Sequence, residues 1–244
     1  MPPGLIIILF VVFGVIAILA AVHGAKKERE RRDALAALAG ELGLSFDPSK
    51  DRSHDDLYAH FEIFRRGHSR VAFNSIGGPL TLAGRPHHCK MGDFEYKVTQ
   101  SNGKSTTTHT YRFSYAILHL PWSVPDLLVR REGMFDKLAG VMGFDDIDFE
   151  SAEFSRRFLV KSRDKRFAYD VITPAMMEFL MSHDPPAVDI ERARLCLSDG
   201  RRRWSPEEFR SMLAWSEQFF TLWPEHVTRT LDDTAGMSGL GRRA

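Results

Sequence analysis

The chain has 244 residues, 43% hydrophobic and 27% charged, a balance that supports a buried core and excludes a wholly disordered polypeptide. A formal net charge of +1 removes any global electrostatic case for a nucleic-acid partner. Two cysteines, Cys89 and Cys196, exclude a disulfide framework and fit a reducing compartment.

Residues 5–22, LIIILFVVFGVIAILAAV, carry no charge over 18 positions. As a helix this run measures roughly 27 Å, close to the thickness of bilayer hydrocarbon. It is apolar all round, which favours lipid over a protein core as its surroundings. A cleaved signal peptide is the rival reading. Against it, no Lys or Arg precedes the run, the run exceeds the usual signal core, and His23 spoils an A-x-A site ending at Ala25. Five basic residues in KKERERR, residues 26–32, follow the run, and none precedes it. The positive-inside rule then predicts a single-pass protein in the cell membrane, amino end outside and the following domain cytoplasmic. The expected organisation is a transmembrane helix over 1–24, a basic helical stalk over 25–46, a cytosolic α+β domain over 47–231 and a disordered tail over 232–244.

Within the stalk, Leu35, Leu38 and Leu42 recur at helical spacing and Gly43 is a stop. Residues 47–56 read as a loop. SRVAFNSIGG reads as a strand ending in a Gly-Gly turn. GDFEYKVTQ and THTYRFSYAILHLP alternate apolar and polar residues around SNGKSTT, which predicts an antiparallel hairpin with one face on a core and one in solvent. EGMFDKLAGVMG has a helical stripe of Phe135, Leu138 and Met142. DDIDFES alternates again. RRFLVKSRDKRFAYDVI reads as a second hairpin turning at SRDK. Thr173-Pro174 opens a helix that buries Met176, Met177 and Leu180. VDIERARLCLSDGRRRW reads as a third hairpin turning at Asp199-Gly200. Ser205-Pro206-Glu207-Glu208 is a capping box before a wide apolar helix face, which Pro224 interrupts. The fold class is therefore α+β: one transmembrane helix, a mainly antiparallel sheet with packed helices, and a C-terminal amphipathic helix. The silhouette is similar to pleckstrin-homology-like domains.

Several clusters invite a chemical reading. His87, His88 and Cys89 are metal-ligating types, but alternation leaves only His87 and Cys89 on one side, and no CxxC or HxxxH spacing completes a site. No metal and no cofactor is expected. Asp145, Asp146, Asp148 and Glu150 form an acidic run, and alternation places Asp146, Asp148 and Glu150 on one side as a candidate acidic site; the alternative is a solvated face or partners for Arg156 and Arg157. Arg192, Arg194, Arg201, Arg202 and Arg203 form a basic set that a hairpin would gather on one outer face, suited to an acidic lipid. No RNP-like signature accompanies it, so nucleic acid is not expected. Neither a phosphate-binding loop nor a G-x-S-x-G elbow is present.

The run DIDFESAEFSRRFLVKSRDKRFAYDVITPAMMEFL, with GDFEYKV and THTYRFSYAILHLP before it, resembles a family of uncharacterised bacterial membrane-anchored proteins with a cytosolic domain of unknown function. That family's signature has the form FxSxEFxxxFxVxSxDxxxAxxxxTPxMMExL. Phe149, Ser151, Glu153, Phe154, Phe158, Val160, Ser162, Asp164, Ala168, Thr173, Pro174, Met176, Met177, Glu178 and Leu180 match it. The likeness implies no catalytic residue. Read physically, the pattern is fold grammar, with Glu153 and Asp164 the residues best able to overturn that reading. The leading expectation is a membrane-tethered, non-catalytic binding module whose partners are the bilayer and either a protein or an acidic lipid. The alternatives are a membrane scaffold, or a membrane-anchored hydrolase using residues 145–150 with His87, His109 or His119.

Overall fold

The computed structural model describes residues 3–133, 146–183 and 185–240. Apolar run and basic stalk form one unbroken helix, α1 (Pro3–Glu41). From Phe10 onward α1 is long and apolar enough to cross a membrane, and none of its most apolar window is buried against the rest of the chain. The stalk does not stand free, because Leu35, Leu38 and Ala39 are buried in the core of the following domain. Each such leucine contributes about 1.5–3 kcal/mol by leaving water.

That domain is built on one antiparallel sheet of eight strands among the described residues. The strands are β1 (Ser45–Asp47), β2 (His68–Leu82), β3 (Arg85–Ser101), β4 (Thr106–His119), β5 (Leu127–Arg131), β6 (Phe158–Ser162), β7 (Ala187–Glu191) and β8 (Arg194–Ser198). Their order is β1-β2-β3-β4-β8-β7-β5-β6. Short helices α2 (His54–Leu57), α3 (Ala152–Arg157), α4 (Lys165–Val171) and α5 (Pro174–Ser182) and longer α6 (Pro206–Thr221) and α7 (Glu225–Leu240) complete it.

The expected β3–β4 hairpin is present, but its inner half is covered on both sides. Residues 113–118 of β4 are all buried. Ala116 and Leu118 join a core with α1, α5 and α6, while Phe113, Tyr115 and Ile117 join a second core with Tyr58, Phe61 and Phe64. Period-two alternation thus feeds two cores and not one core and solvent.

Other expectations are corrected. β2 runs through Gly77-Gly78 to Leu82, and the chain turns at Ala83-Gly84, both at positive φ. The SRDK segment is no hairpin turn: Ser162 ends β6, and Asp164 caps α4 by accepting from the Phe167 N–H at 3.0 Å. β7 and β8 are joined at Arg192-Ala193, with φ of 49° and 57°, leaving Asp199-Gly200 beyond the strand. Two positive φ values are what a tight hairpin demands. Residues 146–149 form no strand, although Ile147 and Phe149 are buried while Asp146, Asp148 and Glu150 are exposed, so the alternation holds. The stripe at Phe135, Leu138 and Met142 lies outside the described residues. Position 232, the expected start of a disordered tail, lies inside α7, where Asp232 accepts from the Trp122 indole at 2.8 Å and from Arg85 at 2.8 and 2.7 Å.

Where α1 meets the sheet, charge takes over from leucine. Asp93 of β3 is completely buried. Arg31 donates to its two oxygens at 2.8 and 2.6 Å, and to the Trp204 carbonyl at 2.8 Å. The Ser114 hydroxyl and the Asn74 amide donate to the same carboxylate at 2.7 and 3.1 Å. Asn74 reaches it from a β2 bulge at positive φ. The opposing position must be glycine, because a Cβ on Gly92 would lie 2.9 Å from the Asn74 carbonyl. One helical turn nearer the amino end, Glu28 accepts from Arg203 at 2.8 Å.

Replacing Arg31 with Leu strands a buried carboxylate, and is expected to lower the unfolding free energy of the detergent-solubilised chain by about 3–5 kcal/mol. Adding Asp93→Asn to that variant should recover most of the loss, measured by denaturant titration. Equal stability of the single and double variants would contradict the account.

Candidate binding groove and charged clusters

Three consecutive helices of the signature region start on a side-chain cap. Ser151 accepts from the Phe154 N–H, Asp164 from Phe167 and Thr173 from Met176. Each cap satisfies an orphan donor at a helix start, a gain of about 1 kcal/mol apiece. Ser162 supports the second by accepting from the Asp164 N–H and donating to the Asp126 carbonyl. Asp164 is thereby occupied as a cap. Glu153 lies 3.4 Å from Arg157 one turn on, and Arg157 also donates to the Met181 carbonyl.

A groove of about 590 Å³ lies beside α4 and α5. Phe149, Tyr169, Ile172, Met177 and Met181 line it, with Glu150 at its border. The Phe149 and Tyr169 rings meet edge to face at 5.2 Å, and half of Tyr169 is exposed. Met177, expected in the core with Met176 and Leu180, is only partly buried and faces this groove with Met181, one turn on. Flexible thioethers beside an aromatic wall suit an adaptable apolar contact. The signal in the sequence was the i, i+4 pair Met177 and Met181 on a helix whose core face is already supplied by Met176, Phe179 and Leu180.

The acidic residues do not converge on a histidine. Asp146 pairs with Lys161 at 3.0 Å. The Asp148 carbonyl accepts from the Tyr169 hydroxyl, and Glu150 is exposed. Asp145 lies outside the described residues. His87 stacks on Phe220 at 5.1 Å, His119 sits 3.4 Å from the Tyr58 hydroxyl, and His109 is on the exposed part of β4. Among the described residues, no group of three His, Cys, Asp or Glu is placed to hold a metal ion.

The basic set is divided by β8 and not gathered. Arg192 and Arg194 are at its start, where Arg194 lies over the Tyr58 ring at 5.7 Å. Arg201, Arg202 and Arg203 follow its far end. Arg202 pairs with Glu208 at 2.6 Å, and Arg203 with Glu28 of α1. Arg201 and Arg202, with Arg131 and Trp204, line a smaller groove of about 430 Å³. The sequence had no means of separating the two ends, because the turn it favoured was one strand too late.

Buried titratable groups mark the second core. His54 has no exposed surface and is ringed by Tyr58, Phe64, Phe94 and Tyr115 at 4.7 to 5.7 Å. Burial, reinforced by Lys90, pushes it down to about 3. Burial lowers His60 to about 4, helped by Arg194 and Arg192. On β7, burial and the Asp126 charge push Glu191 up to about 7, and burial raises Asp189 well above the usual carboxylate range.

No family model and no curated protein matches the sequence. Among solved structures, the crystal structure of the mycobacterial trehalose monomycolate transport factor A, TtfA, is similar in fold, with a TM-score of 0.50 at 10% identity. The likeness covers 80% of this chain and 97% of that one.

A histidine held neutral in the fold stabilises it above the unfolded value near 6.5, and that contribution is lost as pH falls toward 3. The His54 share of the loss is roughly 2 kcal/mol at pH 5. His54→Phe keeps the aromatic nest and should show a smaller fall in melting temperature between pH 7.5 and pH 5 than the natural chain. Identical falls would assign the acid sensitivity elsewhere.

Proposed function

We propose that this chain is a membrane-tethered, non-catalytic binding module of the bacterial membrane-anchored family that its signature resembles. The carrying observation is the continuity of α1, whose apolar half is long enough to span a bilayer and whose other half is bonded into the sheet through Arg31 and Asp93. A helix joined in this way holds the domain beside the membrane without a flexible linker. The five basic residues just after the apolar run favour the inner face, with the amino end outside. The fold it shares with a transport factor supports an accessory role over a catalytic one.

The groove beside α4 and α5 is the binding surface in this reading, and its occupant is an apolar segment of a protein partner. Its lining of Phe149, Tyr169, Met177 and Met181 supplies area and adaptability, and Glu150 marks one edge. Arg201 and Arg202 adjoin the Arg203–Glu28 contact, six residues from the end of the apolar run, within reach of an acidic lipid.

A photo-reactive phenylalanine analogue at position 169 tests the groove in native membranes. The expected result is a discrete adduct, strongly reduced by Met177→Glu. An adduct pattern matching that of a probe at exposed position 217 of α6, or unmoved by Met177→Glu, would contradict the reading.

A further inference from the structure

The outer half of the β3–β4 hairpin is a bare ribbon. β2 accompanies it only to the His68–Lys97 pair, and residues 99–112 are exposed on every face. The ribbon carries bonds of its own. The Thr99 hydroxyl meets Thr108 at 2.9 Å and His68 Nε2 at 2.9 Å. Asn102 Oδ1 closes the tip by accepting from the Lys104 and Ser105 N–H groups. A two-stranded ribbon is marginal alone in water, so one that projects from a sheet invites a surface to lie on.

Its direction follows from its contacts with α1. Leu44, just past α1, packs on Gly78, which pairs with Cys89 of β3. Arg31 meets Asp93, and Glu28 lies 3.8 Å from Arg112, whose strand partner is Glu95. Passing up α1 toward its apolar half therefore means passing along β3 toward the ribbon tip. From Arg31 to the end of the apolar run is about 14 Å of helix. From Asp93 to Ser101 is roughly 27 Å of strand. The ribbon is long enough to reach the plane where the apolar helix begins. α1 does not cover it, since residues 15–27 are all exposed.

Its chemistry suits that plane. Residues 96–111 contain Lys97, Lys104 and His109 and no Asp or Glu. Neither lysine has an acidic partner among the described residues. Six of the residues over 105–111 are Ser, Thr or Tyr, and Tyr111 is 44% exposed while stacked on Tyr96. Hydroxyl groups, unpaired ammonium groups and an exposed tyrosine are what a headgroup layer receives, and a hydrocarbon interior does not.

We propose that the β3–β4 ribbon docks on the anionic headgroup surface of the membrane that α1 enters, as a second contact beside the helix. This rests on the reading of α1 as a span. It fixes the domain's rotation about α1 as well as its distance, because a helix alone leaves rotation about its axis free. Lys97 and Lys104 supply the attraction, and the threonine ladder supplies hydrogen bonds to phosphate and glycerol oxygens.

The full chain in vesicles tests this. Cys89 and Cys196 are buried, so a nitroxide label can be directed to Thr107→Cys, with Glu217→Cys and Val15→Cys as references. The probe is collision with a water-soluble nickel chelate, in vesicles of phosphatidylcholine with or without phosphatidylglycerol. The expected result is shielding at 107 relative to 217 when phosphatidylglycerol is present, weaker without it and weakened again by salt. Lys97→Glu with Lys104→Glu should reduce the docked population by at least roughly fivefold per lysine. A label at 107 as open as that at 217 while 15 is in hydrocarbon would overturn the proposal and leave the span intact. Shielding indifferent to phosphatidylglycerol and to both lysines would overturn it also. A label at 15 open to the chelate would remove the span and the proposal together.

Discussion

A carboxylate sealed from water needs a countercharge, and Asp93 finds it in a residue 62 positions away on α1. The two N–H bonds from Arg31, with Ser114 and Asn74 completing the shell, leave the acid fully occupied. Arg31 also donates to the Trp204 carbonyl, immediately before the Ser205 cap of α6. One guanidinium thus ties together α1, the β3–β4 hairpin and the start of α6. Leu35 and Leu38 supply apolar contact beside it, while the ion pair fixes register, a role for which a buried charge is better suited than for raw stability.

A helix continuous from the apolar run into the core passes on any change in its tilt to β3 and β4. Glu28, Arg203, Arg112 and Glu95 form a charged collar around that junction, in which the Arg203 bond holds Glu28 below the usual carboxylate range. The groove beside α4 and α5 belongs to the same core as Leu35, through Phe149, Phe154 and Ile172. That groove and α1 are therefore parts of one packed body.

What the sequence made legible was local. The uncharged run, the Thr173-Pro174 start, the Ser205 capping box and the Pro224 break each depend on a few adjacent residues, and each is found where its chemistry puts it. The hairpin around SNGKSTT was legible for the same reason. What failed was local chemistry with two uses. Asp164 is as good a helix cap as a turn residue, and Asp199-Gly200 is a stronger turn signal than the Arg192-Ala193 pair that the strands adopt. The clamp was invisible because Arg31 lies in a basic run that topology explains, and Asp93 looks like one more polar step in an alternating strand. Asp232, assigned to a disordered tail by its Gly- and Ser-rich neighbours, is held by Trp122 and Arg85 from distant strands and loops.

The most direct test of the central claim is hydrogen exchange at the backbone amides of residues 29–39, in the full chain held in lipid nanodiscs. If Arg31 and Asp93 weld α1 to the sheet, those amides should exchange as slowly as the β3 amides around Asp93, and Asp93→Ala should speed both groups together. Fast exchange in the helix beside a protected sheet, unchanged by Asp93→Ala, would show that the stalk moves independently of the domain.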